Sequence, residues 1–273
     1  MKLSQVAINS VSTRGEFEET LGAYAAAGFK NVEFALGQVK AYLGAGHTRR
    51  DVVRLLEGHG LRCIGGFETG VRCFGSEAEI EANHALLAAN AELIAELGGA
   101  VMVVGTDGPQ PNSGVADPMG VIAGAMAQLA DRIAATGVTL CIEFNWSPIV
   151  KSLRTAVEIA RRSGRERVGV LFDPAHYHCT PSKFEQINAA SVPYIRHVHI
   201  DDMRDKPGEM SDCNADRVLP GEGCLDLGRL IAALERYGYD GYFSIELFNQ
   251  ELWQLPPRAA ADQMWRSMAA LCS

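Results

Sequence analysis

The sequence has little positive charge and no long apolar run. Lysine and arginine together number 25, against 33 aspartate and glutamate residues, so the formal net charge is −8 at pH 7. Nucleic acid requires a basic surface against its phosphates, and this balance argues against such a partner. No apolar stretch approaches the ~20 residues of a membrane-spanning helix, and the opening MKLSQVAINS lacks the apolar core of a signal peptide. We therefore expect a cytoplasmic protein that binds neither nucleic acid nor membrane.

The cysteines also lack any recognisable spacing. Seven are scattered from Cys63 to Cys272 without a CxxC pair. An odd, scattered set is typical of reduced thiols and excludes a disulfide framework or a zinc knuckle. Linkers and low-complexity segments are missing too, so we expect residues 1–273 to form one domain. The sequence leaves open whether that domain is a monomer or a homo-oligomer.

A repeated pattern of amphipathic segment, glycine and short β-branched run organises the chain. The segments FEETLGAYAAAG, RRDVVRLLEGHG, LRTAVEIARRSG and LGRLIAALERYG have helical periodicity, and each ends in the glycine that suits the left-handed turn after a helix. Ser76 with Glu79, and Asp117 with Pro118, mark two further helix starts. A short helix is expected near PSKFEQINAA, and PPRAAADQMWRSMAALC closes the chain. Eight β-branched runs, from QVAINS to GYFSIELF, alternate with these helices.

This alternation predicts an α/β fold with a parallel sheet. Eight strand–helix units in about 270 residues predict a (β/α)8 TIM barrel. The alternative is an open doubly wound sheet, but this sequence lacks the GxGxxG turn expected after the first strand of such a fold. The longest loop, roughly 202–218 after the seventh predicted strand, is long enough to carry function.

Polar residues end four consecutive predicted strands, where the chemistry of a TIM barrel lies. Glu143 lies in CIEFN, Asp173 in LFDPAHYH, His199 in HVHIDD and Glu246 in SIELFN. Three buried carboxylates at one height would repel one another without a cation between them. Three carboxylates and one imidazole suit one divalent ion, namely Mn²⁺, Mg²⁺, Co²⁺ or Zn²⁺. We predict these four side chains as metal ligands and expect no organic cofactor.

The seventh predicted strand, YIRHVHIDD, places His197, His199 and Asp201 on one face, because side chains alternate along a strand. His199 is the predicted ligand. His197 lies two residues deeper, and we interpret it as a core histidine. Asp201 lies two residues above and is expected either to bind substrate or to orient a ligand.

These motifs resemble those of the xylose-isomerase-like TIM barrels, which include sugar isomerases, ketose 3-epimerases, hydroxypyruvate isomerase and endonuclease IV. The resemblance rests on EF, DPAHYH, HIDD, DRVLPGEGCLDL and SIELF, in that order, and is nearest to the inosose isomerase branch. It implies the same four metal ligands and adds His176 and Arg217 as contacts to substrate oxygens. Endonuclease IV is disfavoured, because the fourth predicted strand ends in VVGTDGPQ without the extra histidine of its three-metal site, and because the chain is acidic.

Further residues are expected to line the substrate pocket. Glu33 ends the second predicted strand, and Asn145 and Trp146 follow the fifth. His176 either hydrogen-bonds a substrate hydroxyl or is merely exposed, and Arg217 on the long loop either clamps the substrate or is solvated. Phe248 is expected in the pocket wall or packed at the barrel rim. The predicted substrate-binding set is His176, Arg217, Asn145, Glu33, Asp201 and Trp146.

The predicted centre suits proton transfer next to a carbonyl. An α-hydroxy ketone bound by the metal would lose a carbon-bound proton to Glu143 or Glu246 and pass through an enediolate. The acidic segment DDMRDKPGEMSDCNADR offers no glycine-rich phosphate loop. We therefore expect a metal-dependent isomerase or epimerase of a non-phosphorylated keto-sugar or inosose. A dehydratase of inosose or dehydroshikimate type stays open, whereas a sugar-binding barrel without turnover would not need both bases.

Overall fold

The computed structural model describes residues 1–272; Ser273, the last residue of the predicted domain, lies outside them. Eight of the strands in this range are parallel and close into a barrel, and two more pair as an antiparallel hairpin between β7 and the last barrel strand. The predicted TIM barrel is thus confirmed. In chain order the strands are β1 Val6–Asn9, β2 Asn31–Ala35, β3 Arg62–Phe67, β4 Val101–Val104, β5 Thr139–Glu143, β6 Val168–Phe172, β7 Ile195–Ile200, β8 Asp202–Met203, β9 Arg217–Val218 and β10 Phe243–Ile245.

The barrel closes through pairing of β1 with both β2 and β10, and β10 takes the place of the eighth predicted strand. Helices lie between and after the strands, and none of them within residues 1–272 combines the length and apolar character needed to cross a membrane. The α-helices are α1 Phe17–Ala27, α2 Leu36–Gly44, α3 Arg49–His59, α4 Glu77–Glu96, α5 Pro118–Arg132, α6 Leu153–Ser163, α7 Pro174–Cys179, α8 Leu227–Arg236, α9 Gln250–Trp253 and α10 Pro257–Ala270.

The predicted start signals act as expected. Ser76 and Glu79 form a capping box at α4, in which each side chain accepts a hydrogen bond from the backbone N–H of the other. Asp117 caps α5 by accepting from the N–H of Gly120, and proline occupies the first turn. Because these caps satisfy N–H groups that have no partner inside the helix, they fix where the helices begin.

Three short helices, α2, α7 and α9, were not predicted. Helix α2 contains Gly37 and Gly44 and starts without a side-chain cap, so its local signal is weak. Helix α7 is capped by Asp173 and begins at Pro174, the same Asp–Pro pair that marks the start of α5. Near PSKFEQINAA, where a short helix was predicted, the structure forms a 3-10 helix of three residues, Phe184–Gln186, and no α-helix.

The predicted loop 202–218 is a folded segment, which we call the flap. Its β8 and β9 ends pair, and Asp202 at its base accepts hydrogen bonds from four backbone N–H groups. Lys206 Nζ donates to Asp216 Oδ1 at 2.6 Å and ties the two arms. Gly208 packs directly against the carbonyl oxygen of His178 at the end of α7. The flap is therefore held on the barrel mouth at both its base and its tip.

The barrel interior is divided between apolar and polar side chains. Val103, Cys141 and Leu171 of β4, β5 and β6 form a small buried cluster of their own. Polar side chains from β2, β7 and the ends of neighbouring strands fill the rest and are also buried. Buried polar groups need partners, so this part of the barrel must be organised by hydrogen bonds and charge.

Candidate metal centre and active site

The structure brings the four predicted ligands together. Glu143 ends β5, Asp173 follows β6, His199 lies in β7 and Glu246 follows β10. All four are buried, and each offers one ligand atom within 4.8 Å of the others. They meet because the carboxyl ends of parallel barrel strands lie at one end of the barrel.

The donor set fits a divalent cation. His199 Nδ1 is buried and has no hydrogen-bond partner among residues 1–272. It faces Glu246 Oε2 at 3.3 Å, Asp173 Oδ2 at 3.6 Å and Glu143 Oε1 at 3.8 Å. A neutral imidazole whose Nδ1 carries no proton presents a lone pair to these oxygens, so the four atoms repel one another unless a cation or a proton lies between them. Oxygen and imidazole donors suit Zn²⁺, Mn²⁺ or Co²⁺.

The charges around His199 also act on its protonation. Burial disfavours the imidazolium form, but the Glu246 and Glu33 carboxylates outweigh burial and raise the pKa of His199 well above its ordinary value. Without a metal, a proton on Nδ1 can therefore lie between His199 and the carboxylates, and a metal that binds there must displace this proton.

Asp173 divides its two oxygens between structure and site. Its Oδ1 accepts a hydrogen bond from the backbone N–H of His176 at 2.8 Å and so caps α7. Its Oδ2 points to the centre and lies 3.1 Å from Arg217 Nη2. Burial opposes ionisation, yet Arg217 and His176 hold the pKa of Asp173 well below its usual range. The carboxylate is therefore charged and ready to ligate.

Arg217 is neither solvated nor on a free loop. It is 1% exposed, and its guanidinium lies 2.9 Å from Asp201 Oδ2, 2.9 Å from Glu246 Oε2 and 3.1 Å from Asp173 Oδ2. Burial lowers its pKa, but these carboxylates overcome that effect and raise it. Arg217 thus neutralises part of the charge of the carboxylates from the flap side.

A chain of polar contacts orients the rim around Glu143. Asn145 has a left-handed backbone with φ of 76°, which is uncommon outside glycine. Lys151 Nζ donates to its Oδ1 at 3.1 Å, so its Nδ2 points toward His176 Nδ1, also at 3.1 Å. His176 Nε2 then lies 3.2 Å from Glu143 Oε1. This arrangement aims an imidazole N–H at the Glu143 carboxylate.

A cavity of about 260 Å³ opens above the centre. Of the predicted residues, it is lined by Glu143, Glu246, His199, His176, Arg217, Asn145, Trp146 and Phe248. The volume and the mixture of apolar and polar walls suit a small molecule.

Two residues of the predicted substrate-binding set lie behind this cavity and not in its wall. Glu33 is fully buried, because hydrogen bonds with His197 Nε2 and His199 Nε2 direct it to the barrel floor. Asp201 is fully buried as well: its Oδ1 accepts from the N–H of Ala175, and its Oδ2 faces Arg217. Asp201 contacts protein groups, which favours the interpretation that it orients other residues of the site over the one that it binds substrate. Glu33 does not line the cavity, so its predicted position in the pocket wall is wrong.

Sequence reasoning missed several residues at the site. Asn9, at the end of β1, donates from Nδ2 to Glu246 Oε1 at 3.0 Å. It is a polar residue at a strand end, the same signal that identified the four ligands. Phe67, Cys213 and Asn214 also line the cavity. Cys213 and Asn214 lie in the flap, and no local pattern in the sequence predicts that the flap packs against the barrel mouth.

Fold and site together define a TIM barrel with a candidate divalent-metal centre at the carboxyl ends of its strands. Residues 21–271 match the family model described as xylose isomerase-like TIM barrel. The chain belongs to this family.

Individual relatives have different activities. The inosose isomerase of Bacillus velezensis is 35% identical over 133 residues, which are 48% of this chain and 47% of that protein. The 3-dehydroshikimate dehydratase of Pseudomonas aeruginosa is 29% identical over 277 residues, covering 98% of this chain and 42% of that protein. The chain thus spans about half the length of these curated relatives, or less. The crystal structure of the IOLI protein with a bound zinc atom has a TM-score of 0.87 at 22% identity, covering 98% of this chain and 97% of that one, which shows the shared fold.

Proposed function

We propose that the protein is a divalent-metal-dependent isomerase or epimerase of a non-phosphorylated keto-sugar or inosose, acting in the cytoplasm without an organic cofactor. The observation that carries this proposal is the set of four ligand atoms within 4.8 Å of one another, beside a cavity of about 260 Å³. The relative named inosose isomerase supports the substrate class, and the zinc of the IOLI protein supports the metal.

The two candidate bases differ in their surroundings. A bound divalent ion would supply Lewis-acid polarisation of the substrate carbonyl. Glu246 accepts hydrogen bonds on both oxygens, from Asn9 and from Arg217. Burial raises the pKa of Glu246, whereas the Arg217 guanidinium beside it lowers that pKa and so makes Glu246 a weaker base. We therefore assign removal of the carbon-bound proton to Glu143 and its return to Glu246 or to Glu143 itself.

The remaining polar residues of the cavity would hold the substrate. His176 and Arg217 both line the cavity, and Arg217 Nη2 lies 3.5 Å from His176 Nε2. Two such donors side by side can bind neighbouring substrate oxygens and fix which carbon faces Glu143. Trp146 and Phe248 would pack against the apolar face of the carbon skeleton.

The charge of the wall favours a neutral substrate. Among residues 1–272, Arg217 is the guanidinium that lines the cavity, and three carboxylates already neutralise it. Arg204 is exposed, and Lys206 is paired with Asp216. A phosphate dianion would therefore find no unpaired arginine or lysine among the residues that line this cavity.

We predict that kcat/KM for inosose or free ketohexoses exceeds that for their phosphate esters at least about tenfold, or ~1.4 kcal/mol. Steady-state kinetics on matched pairs would measure this ratio, and faster reaction of the esters would contradict the prediction.

Isotope exchange tests the proposed reaction. The protein is incubated with Mn²⁺ and inosose or ketohexoses in D₂O, and products are followed by NMR and mass spectrometry. We expect one solvent deuterium on the carbon next to the carbonyl, with no loss of water. Chelator-treated protein and Glu143→Gln serve as controls and should give no exchange. Failure of the untreated protein to exchange with any of these ketones would contradict the proposal.

A dehydratase is the second candidate. The observation that favours it is the match to a 3-dehydroshikimate dehydratase over 98% of this chain, whereas the match to the inosose isomerase covers 48%. The same proton removal can be followed by loss of a β-hydroxyl. An enone or aromatic absorbance that grows from inosose or 3-dehydroshikimate, with one water released per turnover, would establish this activity over isomerisation.

A further inference from the structure

A second buried cluster lies directly behind the candidate metal centre. Glu33 from β2 meets His197 and His199 from β7 across the barrel interior, and all three are at most 1% exposed. Glu33 Oε2 lies 3.0 Å from His197 Nε2 and 3.1 Å from His199 Nε2. His199 belongs to both clusters, since its Nε2 faces Glu33 and its Nδ1 faces the three ligand carboxylates.

The contacts of Glu33 determine the state of both imidazoles. A carboxylate accepts hydrogen bonds and donates none, so each histidine must carry its proton on Nε2. In the neutral ring of His199, the form that binds a metal, this leaves the lone pair on Nδ1, the buried atom that has no hydrogen-bond partner within residues 1–272. His197 holds the same carboxylate in place, because its Nε2 donates to Oε2, the oxygen that also accepts from His199. The ring of His199 is therefore held with its ligating atom toward Glu143, Asp173 and Glu246.

We propose that Glu33 is a positioning residue for the metal: by accepting from His199 Nε2 it fixes the tautomer and the direction in which His199 presents Nδ1. This inference rests on the metal centre of the proposed function. This role explains why Glu33, which does not line the cavity, is buried directly behind it. Carboxylate partners of metal-bound histidines generally raise ligand basicity and metal affinity.

Glutamine at position 33 separates this role from simple packing. The amide has nearly the same shape, but it offers one oxygen acceptor and one NH₂ donor. If its oxygen takes the place of Oε2, it can still accept from both Nε2–H groups, but it carries no charge and raises the basicity of His199 less than the carboxylate does. If its NH₂ group faces the histidines, that group donates to His199 Nε2 and moves the ring proton to Nδ1, where it blocks the metal.

The experiment measures metal binding by the full chain without substrate. Zn²⁺ affinity is obtained by competition with a chromophoric chelator, and the Co²⁺-loaded protein is examined by visible absorption. We expect Glu33→Gln to weaken Zn²⁺ binding by roughly 10- to 100-fold and to change the Co²⁺ spectrum. Glu68→Gln is the matched control, because Glu68 also accepts from two side chains, Lys40 and Asn90, but lies outside the cavity. Its affinity and spectrum should match the wild type.

A measurement on the wild-type chain covers the case in which Glu33→Gln does not fold. With ¹⁵N-labelled histidine, long-range ¹H–¹⁵N spectra of the Zn²⁺-loaded protein should show His199 protonated at Nε2; protonation at Nδ1 overturns the inference. Glu33→Gln binding Zn²⁺ within about threefold of wild type, with the same Co²⁺ spectrum, also overturns it and leaves the proposed function intact. Failure of the wild type to bind Zn²⁺, Co²⁺ or Mn²⁺ overturns both.

Discussion

At the scale of the residue, the candidate centre buries acidic side chains whose charges must be compensated. Five acidic side chains, those of Glu33, Glu143, Asp173, Asp201 and Glu246, are buried close together. Burial and the neighbouring Asp173 charge raise the pKa of Asp201, which favours its neutral form. Arg217 compensates part of their charge, and a divalent ion would compensate more. Since an uncompensated buried charge is strongly unfavourable, the removal of either cation should have large effects.

Glu143→Gln tests the assignment of the base. The amide keeps an oxygen that can face the metal but loses the basic lone pair of the carboxylate. We predict a fall in kcat of roughly 10²- to 10⁴-fold, with bound metal retained, as measured by steady-state kinetics and metal analysis. The same replacement at Glu166, an exposed residue before β6, is the control. An unchanged kcat in Glu143→Gln would remove Glu143 from the mechanism.

Arg217→Met tests the charge balance itself. The substitution keeps an unbranched side-chain stem but leaves Asp173, Asp201 and Glu246 without their guanidinium. We predict that the metal-free protein loses about 3–5 kcal/mol of unfolding free energy, measured by urea denaturation. Arg204→Met, in the same flap but exposed, should change it by less than about 0.5 kcal/mol. Equal effects of the two substitutions would contradict the charge argument.

At the scale of the element, the N-terminus of α7 and the flap shape the site together. Asp173 and Asp201 both accept hydrogen bonds from the first N–H groups of α7. The last residues of α7 receive the flap, because a Cβ on Gly208 would lie 2.0 Å from the carbonyl oxygen of His178. The flap in turn carries Cys213 and Arg217 into the cavity wall. One short helix therefore positions both a ligand and the cover of the cavity.

Gly208→Ala tests flap docking. The added methyl group cannot fit against backbone, so the flap must move away from α7. We predict faster hydrogen–deuterium exchange across residues 202–218 and a raised KM. Gly124→Ala is the control: a Cβ at this exposed position in α5 meets nothing within 4 Å, and alanine there should stabilise by about 0.5–1 kcal/mol. Unchanged exchange in Gly208→Ala would show that the flap tolerates the contact.

At the scale of the whole molecule, the candidate metal centre joins strands from one half of the barrel. Its predicted ligands lie in β5 and β7 and directly after β6 and β10, which are four consecutive barrel strands. An ion that binds only the folded state stabilises the whole barrel by mass action. The stability of the molecule should therefore depend on metal concentration.

Metal removal tests this coupling. At a free metal concentration of 100 times Kd, the stabilisation is about 2.7 kcal/mol, and chelation should lower Tm by roughly 5–10 °C for a domain of this size. Thermal unfolding across a metal titration measures the effect. Asp173→Ala removes this ligand oxygen altogether and should largely abolish the dependence. A Tm that is the same with metal and with chelator would contradict a metal centre of useful affinity.

The sequence by itself determined the barrel and the four residues that the structure brings together in the candidate centre. Eight alternations of helix and strand left one parallel architecture, and each ligand is found at the end of a β-branched run, where local pattern alone specifies its height. It also determined most helix starts, because capping depends on neighbours such as Ser76 and Glu79.

Only the tertiary structure decided which side chains meet across the barrel. Glu33 and His197 are 164 residues apart, and Asn9 and Glu246 are 237 residues apart. Periodicity tells which face of a strand a residue occupies, but closure of the barrel and docking of the flap decide what that face contacts. Glu33 therefore lies behind His199 and not in the cavity, and Arg217 of a polar loop becomes one of the most buried side chains of the molecule.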